Sequence, residues 1–204
     1  MKKICIFLLC IFLMTSCVYW GMYHFGDDDL VWLTPYDEGD TILFRSETNG
    51  MDTLVVNEKY VKDTYWPFME NEARNVMEAY GFLDIDVIHQ MQLTRSSVSI
   101  TKKDGDSLAV LIAFVHRVQE CEQSELRMEK IEIDGVFYSD ACLCKGKDFS
   151  SPNDIKSEYF IWSKSKGLLQ YKYLNGEVYT FYKKIPRKKW KNIIQIGFII
   201  KRNR

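Results

Sequence analysis

Apolar and polar residues alternate along most of the chain with the two-residue period of a β-strand. Between the alternating runs stand pairs in which Asn or Asp precedes Gly, namely Asn49-Gly50, Asp104-Gly105, Asp134-Gly135 and Asn175-Gly176. Such pairs tolerate a positive φ angle and are typical of tight hairpins. The pattern predicts antiparallel strands that follow one another along the chain, and it argues against a helical bundle.

The predicted strands are Thr41–Ser46, Asp52–Val56, a segment from about 77 to 89, a segment around Val98 and Ile100, Leu108–Val115, a segment around Ile131 and Ile133 that forms a hairpin with Val136–Cys144, and then Tyr159–Trp162, Leu168–Leu174 and Val178–Tyr182. The first two should be antiparallel neighbours, and the last three should form a meander. Leu108–Val115 is apolar throughout, which predicts a strand covered on both faces at the centre of the sheet. Residues 67–76 are expected to form a loop or a short helix. The predicted fold class is mainly β, either a single antiparallel β-sandwich or a strongly curved sheet that forms a half-barrel, with at most one short helix.

The beginning of the chain has the composition of a secretory signal, with Lys2 and Lys3 ahead of an uncharged stretch at 4–14. A helix of that length rises about 16 Å, against about 30 Å for the hydrocarbon core of a membrane. Met14-Thr15-Ser16-Cys17 resembles a bacterial lipobox, in which the cysteine receives a diacylglycerol and the signal is cut between Ser16 and Cys17. The alternative is an ordinary signal peptide with a cysteine at its end. We expect Cys17 to carry lipid and to hold the protein on a membrane that it does not cross.

Four regions follow from these assignments: a signal peptide at 1–16, a tether at 17–29, an antiparallel β domain at 30–182, and a basic tail or last strand at 183–204. The chain is 47% hydrophobic and 14% aromatic, so it has ample material for a core and is not disordered as a whole. The localisation predicted is the cell envelope, at the outer membrane.

Three cysteines remain once the signal is removed and Cys17 is lipidated, and they are Cys121, Cys142 and Cys144. Three thiols cannot all pair within one chain, so we expect buried thiols or a single disulfide of Cys121 with Cys142 or Cys144. A zinc site would need a fourth ligand at a recognisable spacing, and the histidines are scattered at His24, His89 and His116. The sequence therefore predicts neither a metal nor another cofactor.

Charge is distributed unevenly along the chain. Lys183 to Arg204 contains nine basic residues and no acidic one, and the signal contains two lysines, so the total of minus 1 leaves minus 12 for Cys17 to Tyr182. Alternation of Ile194, Ile196, Phe198 and Ile200 favours a last strand flanked by solvated lysines. The alternative is a tail that lies against an anionic membrane surface. Export excludes nucleic acid as a partner.

Turn and strand motifs near the end of the predicted domain resemble the closing segment of uncharacterised lipoproteins from Bacteroidetes-type bacteria. The motifs are the run Tyr159–Tyr171 and Asn175-Gly176-Glu177-Val178-Tyr179, with similarity to earlier parts of the family at 52–56, Pro67-Phe68 and Asn71-Glu72. The resemblance implies a lipoprotein and no particular activity. In that family an acidic patch directly follows the lipidated cysteine and directs surface export, whereas Val18, Tyr19 and Trp20 stand here. The sequence therefore does not distinguish the periplasmic face of the outer membrane from the cell surface.

Candidate catalytic residues are few. Asp84 and Asp86 share one face of a predicted strand, His89 ends that strand, and His116 follows the most apolar one. No Gly-x-Ser-x-Gly elbow surrounds Ser96, Ser97 or Ser99, and no glycine-rich phosphate loop follows a strand. The favoured hypothesis is a non-catalytic module that binds an envelope protein or a glycan. The loop at 145–156 is either its binding edge or an ordinary surface loop. The alternatives are a carrier of lipids or other amphiphiles and a carboxylate-based hydrolase of envelope polymers.

Overall fold

The computed structural model describes residues 24–62, 79–103, 107–148 and 155–187. Several predictions fall outside these ranges: the signal with Cys17, the segment at 67–76, the Asp104-Gly105 turn, the middle of the loop at 145–156 and the tail beyond Arg187. No helix in the described ranges is both long enough and apolar enough to cross a membrane.

The described residues are mainly strand and form one antiparallel sheet that curls into a half-barrel, which confirms the predicted fold class. The elements are α1 (Asp27–Leu30), β1 (Thr41–Ser46), β2 (Met51–Lys62), β3 (Ala79–His89), β4 (Gln92–Lys103), β5 (Ser107–Phe114), β6 (Arg117–Glu122), β7 (Glu129–Ile133), β8 (Val136–Cys144), β9 (Lys147–Asp148), β10 (Ser157–Ser163), β11 (Gly167–Tyr173) and β12 (Val178–Ile185). A short 3₁₀ turn at Gln123–Glu125 follows β6. The first hairpin, the β7–β8 hairpin and the β10–β11–β12 meander are present as predicted.

The strand order explains why the sheet curls. It runs β7-β8-β10-β11-β12-β1-β2-β3-β4-β5-β6-β9, so β8 lies beside one edge and β9 forms the other. Only Lys145 and Gly146 separate β8 from β9 along the chain, which brings the two edges close together. Gly146 permits this approach, because a Cβ there would overlap the backbone carbonyl of Val118. Ser157 also spans the gap: its hydroxyl donates to the carbonyls of Phe114 and Val115, at 3.2 and 3.3 Å.

Alternate residues of each strand point into the curl and form the main core. In β3 the inward positions are occupied by Ala79, Gly81, Leu83, Ile85 and Val87, all buried, as the alternation predicts. Aromatic rings fill the middle of the half-barrel: the ring centroid of Phe114 lies 4.8 Å from that of Tyr171 and 5.7 Å from that of Phe160. The interior is therefore packed with side chains.

The position predicted for the most apolar strand is wrong. β5 lies third from an edge of the sheet, and it alternates between buried and half-buried residues instead of being covered on both faces. Its apolar outward positions are Ala109, Leu111 and Ala113, all half-buried. The continuous apolar run therefore reflects an outer face on which two of the three apolar residues are small.

Candidate functional site

One end of the half-barrel is closed by the segment that follows α1. Trp32, Leu33 and Tyr36 are at most 1% exposed. The hydroxyl oxygen of Tyr36 accepts a hydrogen bond from the backbone N–H of Leu168 at 2.9 Å. Gly81 leaves room for Leu33, because a Cβ at this position would come within 2.7 Å of the Leu33 side chain. Trp32, Leu33 and Tyr36 are called the apolar plug below.

The opposite end holds a buried carboxylate. Asp52, the second residue of β2, is 0% exposed. One of its oxygens accepts hydrogen bonds from the hydroxyls of Tyr171 at 2.6 Å and Tyr173 at 2.9 Å. The other lies 2.8 Å from Nδ1 of His89, the last residue of β3. Gly81 and His89 are eight positions apart on β3, which is about 27 Å along a strand and places this Asp52 cluster far from the apolar plug.

The tyrosines around Asp52 are held in their protonated form. Burial raises the pKa of Tyr171 and of Tyr173 well above its usual value, and burial together with the charge of Asp52 raises the pKa of Tyr179 to about 12. The hydroxyls of Tyr171 and Tyr173 therefore remain donors at neutral pH, and Asp52 is their acceptor. The ring of His89 also packs against these tyrosines, with its centroid 4.5 Å from that of Tyr173 and 5.6 Å from that of Tyr179.

A cleft of about 520 Å³ opens beside His89. The described residues that line it are His89, Gln90, Gln92, Ile155, Lys156, Tyr173, Leu174 and Asn175. His89 is only 6% exposed, and since its Nδ1 is bonded to Asp52, its other ring nitrogen is the one left for a hydrogen bond with a molecule in the cleft. The other side chains that line the cleft include the carboxamides of Gln90, Gln92 and Asn175, the ammonium group of Lys156 and the aliphatic side chains of Ile155 and Leu174.

The groups that line the cleft can donate and accept hydrogen bonds. A histidine oriented by a carboxylate is part of a catalytic triad, but a triad also needs a nucleophile. Among the described residues that line the cleft there is no Ser, Thr or Cys. Polar groups that converge on a concave surface are typical of a ligand-binding site.

The carboxylates predicted from the sequence do not join His89. Asp84 and Asp86 lie on the outer face of β3, whereas His89 points inward. Asp84 accepts a hydrogen bond from the side chain of Asn57 at 3.2 Å, and Oδ1 of Asp86 is buried without a partner in the part of the chain that the structure describes. His116 lies in the turn between β5 and β6 with a φ of 63°. These residues do not form a common site.

Cys142 and Cys144 are buried on the inner face of β8, with their sulfur atoms 3.6 Å apart. The hydrogen bond with Cys144 lowers the pKa of the Cys142 thiol. The side chain of Cys121 lies outside what the structure describes, so its predicted disulfide stays a prediction. No group of three residues suited to hold a metal occurs within the described ranges.

Asp52, Tyr171 and Tyr173 are not among the residues singled out from the sequence. A signal for Asp52 exists: it is two residues from Leu54 and four from Val56, so the period of the strand places it on the same buried face. A carboxylate at an inward position needs partners, because a buried charge without hydrogen bonds is costly. The partners themselves come from β3 and β11, which no local pattern connects with β2.

A scan against protein-family models gave no match, and neither did searches of curated proteins and of solved structures. Fold and site together define a class, an antiparallel half-barrel that is closed at one end by the apolar plug and carries a polar cleft at the other. The function of this class of protein has to be inferred from the cleft and from the sequence outside the described residues.

Proposed function

We propose that the chain is a lipid-anchored protein of the cell envelope that binds a polar ligand, a glycan or a segment of an envelope protein, in the cleft beside His89. The observation that carries the proposal is the convergence of His89, Gln90, Gln92 and Asn175 on one concave surface, behind which Asp52 fixes the histidine ring. Ligand binding needs hydrogen-bonding groups, which the described residues of the cleft provide, and it needs no nucleophile.

The anchor is supported by the signal-like residues at 1–16 and by the lipobox that ends in Cys17. Two or more acyl chains make attachment to a membrane effectively stable. The described chain begins at His24, and seven residue steps from Cys17 reach at most about 25 Å. His24 leads directly into α1 and the apolar plug, so an anchor at Cys17 attaches the domain to the membrane by its plugged end.

The two alternative functions receive less support. A carrier of amphiphiles needs an apolar cavity between the walls of the sheet, and here the ring of Tyr171 packs against those of Phe44 and Phe114 in that space. A carboxylate-based hydrolase needs acidic groups that face each other across a cleft. Asp84 and Asp86 lie on the outer face, and Asp52 is covered by its own hydrogen-bond donors.

The anchor is tested by metabolic labelling with a clickable fatty acid, followed by membrane fractionation. The parent chain should be labelled and sediment with the outer membrane, and a Cys17→Ser variant should do neither. An unlabelled parent chain, or a variant that fractionates like the parent, would refute the anchor without bearing on the cleft.

The cleft is tested by titrating soluble peptidoglycan fragments and envelope oligosaccharides into the protein while its amide NMR signals are recorded. Signals of Gln90, Gln92 and Asn175 should shift together, and Gln92→Ala should weaken binding about tenfold or more, since it removes an exposed carboxamide that can both donate and accept hydrogen bonds. Thr34→Ala, at the plugged end, is the matched control and should bind like the parent. Equal affinities of the Gln92 and Thr34 variants would place the ligand elsewhere.

A further inference from the structure

β7 forms an edge of the sheet, and β8 is its one hydrogen-bonded neighbour among the described strands. Its five residues are Glu129, Lys130, Ile131, Glu132 and Ile133. An edge strand presents unpaired N–H and C=O groups that can receive another strand. The bulge between β7 and β8 puts the extra residue in β8, so β7 itself is regular and suited to pairing.

The turn of the β7–β8 hairpin determines which backbone groups are unpaired. Asp134 and Gly135 form a two-residue turn with φ angles of 51° and 77°. The residues that flank such a turn, Ile133 and Val136, make a hydrogen-bonded pair, and hydrogen-bonded and non-hydrogen-bonded pairs then alternate along the ladder. The backbone N–H and C=O groups of Lys130 and Glu132 therefore point away from β8, toward the open edge.

Charge selects one self-pairing of this edge. When two copies of β7 pair antiparallel with Ile131 opposite Ile131, Lys130 of each copy lies opposite Glu132 of the other, and both residues use the backbone groups that β8 leaves unpaired. A shift by two residues places lysine opposite lysine or glutamate opposite glutamate, and like charges directly opposite each other are destabilising. The sequence Lys-Ile-Glu is thus complementary to itself in one register.

The side chains next to this edge suit a contact. Lys130 and Glu132 are exposed, and the ammonium group of Lys130 lies 4.3 Å from the ring centroid of Phe137, which is 58% exposed. On the other face, Ile131 and Ile133 belong to a small apolar cluster with Ala141, Ile161 and Leu169. Pairing through β7 would join two such clusters and cover part of the exposed Phe137.

We propose that β7 is an interaction surface for a second copy of this chain, which pairs antiparallel with it about Ile131 and forms a two-fold symmetric dimer. Contacts around a two-fold axis are reciprocal, so each favourable pair of Lys130 and Glu132 occurs twice. The surface is separate from the cleft beside His89, and the proposal does not depend on ligand binding or on the anchor.

The test is sedimentation velocity of the full chain over a concentration series up to about 1 mM, where weak dimers are populated. The parent should dimerise. Lys130→Glu and Glu132→Lys should each weaken the dimer about tenfold or more, because each creates two like-charge pairs. An equimolar mixture of the two variants should dimerise again, and so should the double variant with both changes, since each restores opposite charges. Lys145→Glu, which reverses an exposed charge away from the edge, should dimerise like the parent.

A cross-link provides a second measurement. Residues opposite each other in a non-hydrogen-bonded pair have Cα atoms about 4.5 Å apart, within reach of a disulfide. Under mild oxidation Ile131→Cys should give a covalent dimer, whereas Glu129→Cys should give no more than the parent chain. A parent that stays monomeric throughout the series, a charge-reversed pair that fails to recombine, or equal cross-linking at both positions would overturn the proposal.

Discussion

The apolar plug and the Asp52 cluster occupy opposite ends of the same half-barrel, and both are almost inaccessible to water. Burying the side chains of Trp32, Leu33 and Tyr36 removes apolar surface from water and stabilises the fold. Burying Asp52 costs several kcal/mol of solvation, and its three hydrogen-bond donors serve mainly to offset that cost. The plug thus stabilises the fold, whereas the Asp52 cluster is retained beside a cleft without an evident gain in stability. Such a departure from an apolar interior is typical of a functional site.

The largest effect on stability is expected at the plug. Trp32→Ala should lower the free energy of unfolding by about 3–5 kcal/mol, because it leaves a cavity and deprives the side chain of Gln123 of its hydrogen bond with the indole N–H. Thr34→Ala changes an exposed residue of the same segment and should cost less than about 0.5 kcal/mol. Urea denaturation of both variants measures the difference, and equal midpoints would mean that the plug does not stabilise the fold.

A smaller loss is expected at the Asp52 cluster. Asp52→Asn keeps the shape of the side chain but replaces an acceptor oxygen by an amide donor, so it should cost about 1–3 kcal/mol. Asp84→Asn is the matched change on the outer face, where the side chain reaches solvent, and should cost less than about 0.5 kcal/mol. The same urea experiment applies. If the two asparagine variants are equally stable, Asp52 is not the acceptor of three buried donors.

Stability should also fall at alkaline pH. Because burial raises the pKa of Tyr179 to about 12, and that of Tyr171 and of Tyr173 above the usual value, the unfolded chain releases these protons at a lower pH than the folded chain. Their contribution is fully present below pH 10. That of Tyr179 is lost as the pH rises from about 10 to about 12, and those of Tyr171 and Tyr173 decline over the same range, at about 1.4 kcal/mol per pH unit for each phenol.

Unfolding measured at several pH values in this range tests the linkage. Tyr179→Phe should make the decline shallower by about one proton. A variant whose stability falls as steeply as that of the parent would show that Tyr179 does not titrate late in the folded state.

The smallest effect on stability is expected at Gln92, where a substitution should change binding but not folding. Gln92→Ala removes an exposed side chain that lines the cleft, so it should change the free energy of unfolding by less than about 0.5 kcal/mol. Its affinity for the ligand found by titration should nevertheless fall. A variant with lowered stability and unchanged affinity would assign Gln92 to the fold and remove it from the site.

The antiparallel strands and their hairpins were predictable because their signals are local. The alternation of apolar and polar residues predicts strand β3, and the pairs Asn49-Gly50 and Asp134-Gly135 predict the turns that they form. The neighbours of β5 were not predictable in the same way, since a run of apolar residues does not distinguish a central strand from one with alanines on its outer face. Curling itself depends on the short step from β8 to β9, which no single motif announces.

The site was predictable only in part, because it is assembled across long separations. His89 was identified as a candidate, but its partner Asp52 is 37 positions away, and Tyr171 is 119 positions from Asp52. Asp84 and Asp86 are close to His89 in the sequence. Both lie on the outer face of β3, however, whereas His89 lies on the inner face. Which polar residues meet in a barrel depends on strand order and register, and these are tertiary properties.

The central claim is that Asp52 gathers Tyr171, Tyr173 and His89 into one buried hydrogen-bonded cluster behind the cleft. Proton NMR of the tyrosine hydroxyls tests it most directly, because a hydroxyl bound to a buried carboxylate exchanges slowly with water. The account predicts two resolved, slowly exchanging hydroxyl signals that Tyr171→Phe and Tyr173→Phe assign one by one and that Asp52→Asn displaces together. Hydroxyls that exchange rapidly in the parent chain, or signals that Asp52→Asn leaves in place, would contradict it.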